Sequence, residues 1–417
     1  MLKPNRWTLC LSSLVCLIFC GCQLESESHC STPATFPKMQ PEPAVVAANA
    51  FGCDLFRKLA TDEKNVLLSP TSLMLALSMV YNGAGGETKT AMAGTLHVSD
   101  IPTEDLNRQL VALQRALQAP DNQVQLDIAS SLWARQDLVF RPQFAKLCDR
   151  QYHASLQALD FLSPGAAEEI NAWAAEKTKG RILEIVDQSD LVEAGALLLN
   201  AIYFKGQWSN QFSPWETKEA DFTLPTGKTK KVRMMRQYEE YVYGEDSRRQ
   251  AVALPYASGR LNMIIVLPRD RKGLPGLLKT MGYEAWQKLL AGMTKLQGTV
   301  GLPRFEVACK LRPEAALKAL GMGAAFRYDA DFSAISPDIQ GLTFVRHNTF
   351  LRVIEEGTEA AAVGGPGLAP GMPPVPPVPP FEMIVNHPFL LAVVDSQTGA
   401  LLFLGAIDDP QEAPTGN

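Results

Sequence analysis

Hydrophobic residues recur at helical spacing through most of the first half of the chain. In the segment 45–59, for example, Phe51, Leu55 and Leu59 are four residues apart and share one helix face. The segment 71–81 is apolar on nearly every face, which is typical of a buried, central helix. Further helices are predicted over 103–118, 142–152, 166–178, 274–290 and 313–320.

Strand patterns dominate the second half. Two strands are also predicted in the first half. The segment 124–134 alternates apolar and polar residues, and 195–205 is a long apolar run with a buried polar position at Asn200. Other predicted strands are 65–68, several segments within 222–266, 299–310, 342–354, 389–394 and 400–407. Helices early and strands late, without regular alternation, predict an α+β fold with largely antiparallel sheets.

One strand-like stretch, 357–365, carries almost no side-chain bulk. At a period of two, its faces consist of Thr358, Ala360, Ala362 and Gly364, and of Glu359, Ala361, Val363 and Gly365. Such a strand fits between two strands that are already packed, where a strand of Val, Leu or aromatic residues would not. The proline-rich run that follows, to Pro380, cannot be a central strand, because proline donates no ladder hydrogen bond. A flexible Ala/Gly/Pro linker is the alternative.

Composition places the chain among folded proteins. Its 417 residues are 46% hydrophobic and 20% charged, which is enough for a sizeable core and, by length alone, for two or three domains. The formal net charge is −5. A mildly acidic chain gives no reason to expect nucleic acid as a partner.

The first residues have the pattern of an export signal. Lys3 and Arg6 precede an apolar run, 9–19, that is too short to span a membrane. Gly21 then precedes Cys22, as in the bacterial lipobox, where cleavage leaves a cysteine that becomes lipid-modified. We therefore predict lipidation of Cys22, with simple secretion as the alternative.

The predicted domain organisation follows from these patterns. It comprises a lipoprotein-type signal peptide at 1–21, a flexible Ser/Pro-rich tether at 22–44, a globular body at 45–410 and a tail at 411–417. The protein is expected outside the cytoplasm, either lipid-anchored to a bacterial cell envelope or extracellular.

The chain contains no residue pattern of an enzyme site. No nucleophile elbow of the form Gly-x-Ser-x-Gly occurs, and no metal-binding or catalytic motif includes any of the five histidines, His29, His97, His153, His347 and His387. The glycine-rich run 82–88 follows a helix and lacks the Gly-Lys-Ser/Thr ending of a phosphate-binding loop. Buried thiols are favoured over disulfides for the widely spaced Cys30, Cys53, Cys148 and Cys309. We expect no enzyme activity, cofactor or metal, and an envelope hydrolase is a remote alternative.

Four motifs, in order along the chain, resemble the serpin family. They are Asn-Val-x-x-Ser-Pro-x-Ser at 65–72, Asn-Ala-Ile-Tyr-Phe-Lys-Gly-x-Trp at 200–208, Glu-Glu-Gly-Thr-Glu-Ala-Ala-Ala at 355–362 and Asn-His-Pro-Phe at 386–389. The resemblance covers about 45–410, nearly the whole globular part. It implies a single serpin domain with mixed or antiparallel sheets, about eight or nine helices and an exposed reactive loop at about 355–382.

The resemblance also implies a function, since serpins are suicide inhibitors of proteases. A serine protease, or a cysteine protease, attacks the loop and forms an acyl-enzyme. The cleaved loop then enters the main sheet as a new strand, and the attached protease is deformed. Small inward-facing residues speed this entry, and the implied hinge residues are Glu355, Gly357, Thr358, Ala360 and Ala362.

The resemblance places the reactive bond as well. Counting from Gly357 as the fifteenth residue before the cut puts cleavage between Gly371 and Met372. The preceding Leu-Ala-Pro at 368–370 suits proteases that accept small residues, such as elastase-like or subtilisin-like enzymes.

Two further sites are implied by position. The shutter, a polar cluster beneath the sheet, comprises Ser69, Ser72, Asn200 and His347. The breach, where insertion begins, comprises Trp208 and Arg304, and Arg304 is expected to pair with the hinge acid Glu355. Ordinary core packing is the alternative for each residue.

Some features depart from the family pattern. Pro366 falls within the strand that would insert, and the proline run 373–380 is longer than usual. They favour a second hypothesis, a non-inhibitory serpin that acts as a binding or scaffold module. The helix at 103–118 carries only Arg108 and Arg115 as basic residues, so we expect no heparin binding. We also expect the protein to be a monomer.

Overall fold

The computed structural model describes residues 35–37, 39–61, 64–118, 123–192, 194–358 and 379–413. These ranges contain ten α-helices, namely α1 (Pro43–Leu59), α2 (Pro70–Tyr81), α3 (Gly86–Thr95), α4 (Thr103–Leu117), α5 (Pro142–Leu147), α6 (Ala166–Lys177), α7 (Gln188–Leu191), α8 (Leu274–Thr280), α9 (Tyr283–Ala291) and α10 (Glu314–Ala319). None of these helices has the length and apolar character needed to cross a membrane.

The strands of the same ranges form two sheets. They are β1 (Val66–Leu68), β2 (Val124–Arg135), β3 (Ser155–Leu159), β4 (Ala196–Gln207), β5 (Lys218–Thr223), β6 (Thr229–Glu245), β7 (Arg249–Tyr256), β8 (Leu261–Pro268), β9 (Thr294–Pro303), β10 (Phe305–Leu311), β11 (Phe344–Val353), β12 (Gly357–Thr358), β13 (Phe381–Ile384), β14 (Phe389–Asp395) and β15 (Leu401–Ile407). The main sheet has the order β10-β11-β4-β2-β3, with β12 beside β4. The second has the order β1-β15-β14-β8-β7-β6-β9-β13, with β5 beside β6.

The helix α2 is central because every one of its residues is buried. Its start is fixed locally: the Ser69 hydroxyl oxygen accepts a hydrogen bond from the Ser72 N–H (3.2 Å), and Pro70 occupies the first turn. Helix α1 packs closely on this start at Gly52, where a Cβ atom would lie 2.3 Å from the Pro70 Cβ. The position therefore needs glycine for space.

Helix α6 covers the opposite face of the main sheet. A separate hydrophobic cluster there joins Ile170 of α6 to Trp133 of β2 and to Leu197 and Leu199 of β4. The ring of Trp133 meets that of Trp173 edge-on, with centroids 6.5 Å apart. The main sheet is thus enclosed by α2 and the large core on one side and by α6 on the other.

Two predicted elements are each two elements in the structure. The predicted strand 299–310 is divided at Arg304, where the chain leaves one sheet as β9 and joins the other as β10. The predicted helix 274–290 is divided into α8 and α9, because Gly282 has an extended backbone (φ −82°, ψ 174°). The division of this helix, together with α3 and the short helix α7, which no sequence pattern indicated, gives ten helices where about eight or nine were expected.

The predicted tether 22–44 is too long at its C-terminal end. Thr35 forms a β-bridge with Thr294, Phe36 is buried and α1 begins at Pro43. The segment packs on the globular body because the Phe36 side chain is apolar. In the sequence, this single residue stands among serines and prolines, which favour a tether. At the other end, Gln411 of the predicted tail bridges Glu306.

Three of the cysteines are free thiols buried in the fold: Cys53, Cys148 and Cys309. Burial raises the pKa of the Cys309 thiol to about 11, and those of Cys53 and Cys148 to about 12. These thiols are therefore protonated and unreactive at neutral pH. Cys30 lies outside the described residues.

Candidate functional site

The candidate site follows the boundary between β4 and β11, which we call the seam. The two strands pair in parallel from Phe344 beside Leu197 to Phe350 beside Tyr203. Above that level the ladder between them ends, although β4 continues to Gln207. The top of the seam is therefore where the main sheet offers backbone hydrogen-bonding groups to another strand.

The predicted hinge begins in this opening. Gly357 pairs with Gln207, and Thr358 pairs with Gly206, antiparallel to β4. Thr358 is fully buried, and its Oγ1 lies 2.7 Å from the hydroxyl oxygen of Tyr256. The first two residues of the small-residue stretch are thus already in strand geometry at the top of the seam.

Gly357 is the residue that makes this approach possible. Its φ angle is +148°, and a Cβ atom would lie 2.1 Å from the carbonyl oxygen of Gly206. Gly357 also exchanges two backbone hydrogen bonds with Ile354, of 2.9 and 3.1 Å. Only glycine satisfies both the tight turn after β11 and the close contact with β4.

Trp208, predicted for the breach, ties the end of β4 to the same turn. Its backbone N–H donates to the carbonyl oxygen of Glu356 (3.0 Å), and its indole Nε1 donates to that of Ile354 (2.9 Å). The indole stacks on Tyr256, with ring centroids 4.4 Å apart. The two sides of the seam are therefore joined at the top through one tryptophan.

Glu355 and Arg304 also lie together, as expected from the resemblance. Arg304 Nη1 is 3.3 Å from Glu355 Oε2, and the carboxylate residue is 5% exposed. The Glu355 carbonyl accepts a hydrogen bond from the Phe212 N–H (2.9 Å). A buried carboxylate needs such a cation, since an unpaired buried charge is strongly destabilising.

The four residues predicted for the shutter form one buried cluster in the middle of the seam. The Ser69 N–H donates to His347 Nε2 (2.8 Å), so the imidazole proton is on Nδ1, which donates to Asn200 Oδ1 (2.7 Å). The Ser72 hydroxyl donates to the same oxygen (2.7 Å). Because His347 is opposite Asn200 in the ladder, the cluster joins β11 to β4 and both to the start of α2.

Burial lowers the pKa of His347 from 6.5 to about 3. The imidazole is therefore neutral at physiological pH, which agrees with Nε2 accepting the Ser69 N–H. A second proton on the ring would remove that acceptor and leave the Ser69 N–H without a partner. The cluster is built for a neutral histidine.

Two residues of this region were missed from the sequence. The Ser130 hydroxyl oxygen accepts a hydrogen bond from Asn200 Nδ2 (3.1 Å), which extends the shutter to β2. Ser130 lies on the same strand face as Val124 and Ile128. A polar residue on that apolar face could have indicated from the sequence that Ser130 belongs to a buried polar site. Tyr256 ends β7, and only the fold brings it to the hinge.

The remaining predicted site residues, Ala360, Ala362, Gly371, Met372 and Cys22, lie outside the described residues. Within the ranges that the structure describes, no group of three or more His, Cys, Asp or Glu residues could hold a metal ion.

Comparison with known proteins gives the family. The model of the family described as Serpin (serine protease inhibitor) matches residues 46–410. The chain belongs to the serpin family. Its α+β fold with mixed and antiparallel sheets is the fold predicted from the sequence.

Individual relatives agree with this assignment. The chain is 35% identical over 402 residues to an uncharacterized serpin-like protein of Thermococcus kodakarensis, covering 93% of this chain and 91% of that protein. It is 33% identical over 379 residues to the leukocyte elastase inhibitor of Xenopus tropicalis, covering 87% and 98%. Among solved structures, it is similar to the native state of a thermophilic serpin, tengpin, with a TM-score of 0.82, 30% identity and coverage of 91% and 97%.

Acid should weaken the closed fold through His347. Above the unfolded-state pKa of 6.5 the ring is neutral in both states, and its contribution to stability is complete. As the pH falls from 6.5 toward about 3, only the unfolded chain binds the proton, so the free energy of unfolding falls by up to about 1.4 kcal/mol per pH unit. In His347→Gln this component of the pH dependence should be absent, as measured by thermal midpoints from about pH 4 to about pH 7.

The control is His153→Gln, which removes an exposed histidine and should follow the pH dependence of the unmodified protein. If the His347→Gln curve runs parallel to that of the unmodified protein, His347 does not carry the acid sensitivity.

Proposed function

We propose that this serpin is a suicide inhibitor of a serine protease that cuts its reactive loop. The observation that carries the proposal is the pairing of Gly357 and Thr358 with β4, because the strand that would insert has already begun. Thr358 is buried in a site that fits a small side chain beside Tyr256. Further entry extends the same ladder down the seam, between β4 and β11.

The register of this short ladder supports the proposal. Continued along β4 from Thr358 beside Gly206, it brings Gly364 level with Asn200 and His347. Paired residues of neighbouring strands face the same side of a sheet, so Gly364 would face the shutter. A residue without a side chain can pass there once the hydrogen bonds across the seam release.

Pro366 supports a second candidate, a serpin that binds or scaffolds without trapping a protease. In the same register Pro366 would lie level with Leu198 and Val345, where it lacks one ladder donor. An unmade buried hydrogen bond costs about 1–3 kcal/mol, whereas each ladder bond that does form contributes about 1 kcal/mol. Because the residues from Thr358 to Gly364 enter first, we favour the inhibitor.

The reactive bond in this proposal is Gly371–Met372. The nucleophile of the protease would form an acyl-enzyme with the Gly371 carbonyl and release Met372 as a new N-terminus. The small residues before the bond suit elastase-like or subtilisin-like enzymes, and one relative is named leukocyte elastase inhibitor. A cysteine protease forms an acyl-enzyme in the same way.

The same proposal includes where the protein acts. Export by the signal at 1–21 and acylation of Cys22 would hold a monomer at the cell envelope, with the membrane as its second partner. We propose no heparin activation, because Arg115 and Arg108 are the basic residues of α4 and Arg108 lies 2.7 Å from Asp105.

Incubation with a suitable protease should give a covalent complex. The purified protein is mixed with elastase and, separately, with subtilisin, and a complex that survives SDS is expected with at least one of them. N-terminal sequencing of the released fragment should begin at Met372. The cleaved protein should unfold at a higher temperature than the intact one, because the loop has become a strand.

Two substitutions at one site control this experiment. Thr358→Arg places a long charged side chain at the buried position beside Tyr256, so the loop should be cut without a stable complex. Thr358→Ser keeps the hydroxyl and should still trap the protease. Simple cleavage of the unmodified protein by every protease tried, without a gain in thermal stability, would contradict the inhibitory function and favour the scaffold.

Lipid anchoring is tested separately by substitution of the cysteine. Expressed with its leader in a bacterial host, the protein should partition with membranes, and Cys22→Ser should leave the membrane fraction. Cys20→Ser, two residues earlier, is the matched control and should remain membrane-bound. A Cys22→Ser protein that still partitions with membranes would exclude acylation at this residue.

A further inference from the structure

The segment between α6 and β4 crosses the seam on the α6 face of the main sheet. The middle of this segment contacts β10 and β11, the strands on the other side of the seam from β4. Lys310 Nζ of β10 lies 2.5 Å from the Glu184 carboxylate, and Asn348 Nδ2 of β11 donates a hydrogen bond to the Glu184 carbonyl (3.2 Å). Its end continues directly into β4. The segment therefore connects both sides of the seam.

Among the charged residues that contact this segment, Arg346 of β11 is the most deeply buried. It is 3% exposed, and its guanidinium lies between two carboxylates, with Nη1 2.6 Å from Glu314 Oε1 and Nη2 3.1 Å from Asp190 Oδ1. Glu314 begins α10, which follows β10, so this ion pair stays on one side of the seam. Asp190 belongs to α7, a few residues before β4, so the second ion pair joins the two sides. The other oxygen of the same carboxylate lies 3.3 Å from Nη2 of Arg312, a largely exposed residue directly after β10.

We propose that the Arg346–Asp190 ion pair is a latch whose release sets the rate at which the lower part of the seam opens. The proposal rests on the proposed function, since only an entering strand requires this opening. Admitting a strand moves β4 and β11 from about 4.8 Å to about 9.6 Å apart. For this movement, either the ion pair must break or α7 must move away from β4. We therefore expect the seam to open more slowly in the protein that has the ion pair than in a variant that lacks it.

The arrangement fits a latch better than a simple stabilising contact. Arg346 Nε and Asn348 Oδ1 are buried, and neither has a hydrogen-bond partner among the described residues. The closed state thus leaves hydrogen-bonding capacity unused on this face of β11. A buried ion pair is often no more stabilising than apolar residues of the same volume, but breaking it leaves uncompensated charge. Such a pair adds more to the barrier for opening than to the stability of the closed state.

The rate of opening can be measured without a protease. A synthetic peptide with the sequence of residues 358–370 is added to the full-length protein, and its uptake into the main sheet is followed by native gel shift and by the rise in thermal midpoint. With Arg346→Leu, uptake should be about tenfold faster, since a tenfold change needs only about 1.4 kcal/mol of barrier. Asp190→Asn is the milder variant and should also accelerate uptake.

The other arginine ion pair of β11, which is half-buried, supplies the matched control. Arg352 Nη2 lies 3.1 Å from Glu306 Oε2 of β10, on one side of the seam only, and the Arg352 side chain is 15% exposed. Arg352→Leu therefore removes an arginine and an ion pair from the same strand without crossing the seam. It should change uptake by less than about twofold, as expected where no contact across the seam is lost.

A double-mutant cycle identifies the pair as the cause. Asp190→Asn should accelerate uptake in the unmodified protein and have a clearly smaller effect in Arg346→Leu, where the contact of Asp190 with the exposed Arg312 (3.3 Å) is still present to be lost. If Arg346→Leu and Arg352→Leu change uptake equally, or if the effects of Arg346→Leu and Asp190→Asn are additive, the latch is wrong while the proposed function stands. If the unmodified protein takes up no peptide and traps no protease, both proposals fail.

Discussion

The short parallel ladder between β4 and β11 is the constraint on which the rest of the structure depends. The ladder ends below the top of the sheet, and polar side chains supplement it at three levels. Trp208 joins the two sides at the top, His347 meets Asn200 in the middle, and Arg346, one residue lower on β11 and on the opposite face, meets Asp190. An entering strand would break these contacts in that order, from the end where Gly357 and Thr358 are already paired.

The kind of contact matters more than the number. Apolar side chains along the seam would re-pack gradually as it opened, whereas a buried polar group left unpaired costs about 1–3 kcal/mol at once. Neutral His347 and the buried Arg346 ion pair therefore each oppose separation of the strands at their own level, and the ion pair adds little to the stability of the closed sheet. Under the proposed function, a new strand replaces the broken contacts with ladder hydrogen bonds. The closed state then persists because the activation barrier for opening is high, and not because its free energy is lower than that of the inserted state.

Local patterns in the sequence were enough to predict most elements of the fold. Ser69 and Pro70 mark the start of α2, and the polar Asn200 in an apolar strand indicated a site in the core. The break at Arg304 left a signal that the prediction of one strand over 299–310 passed over, since the buried apolar residues change from even positions (Val300, Leu302) to odd ones (Phe305, Val307) there. Tyr256 and Arg346 were missed for another reason: each gains its role only where distant strands meet, and a charged residue in a strand is usually a surface residue.

If the loop enters between β4 and β11, closing the seam covalently must prevent trapping. Leu198 and Val345 lie opposite each other across it, so Leu198→Cys combined with Val345→Cys permits a disulfide between neighbouring strands. The oxidised protein, with its disulfide verified by mass spectrometry, should be cut by a protease that the unmodified protein traps but should form no SDS-stable complex. Reduction, with the reductant removed before the protease is added, should restore the complex. An oxidised protein that still traps the protease would show that the loop does not enter through this seam.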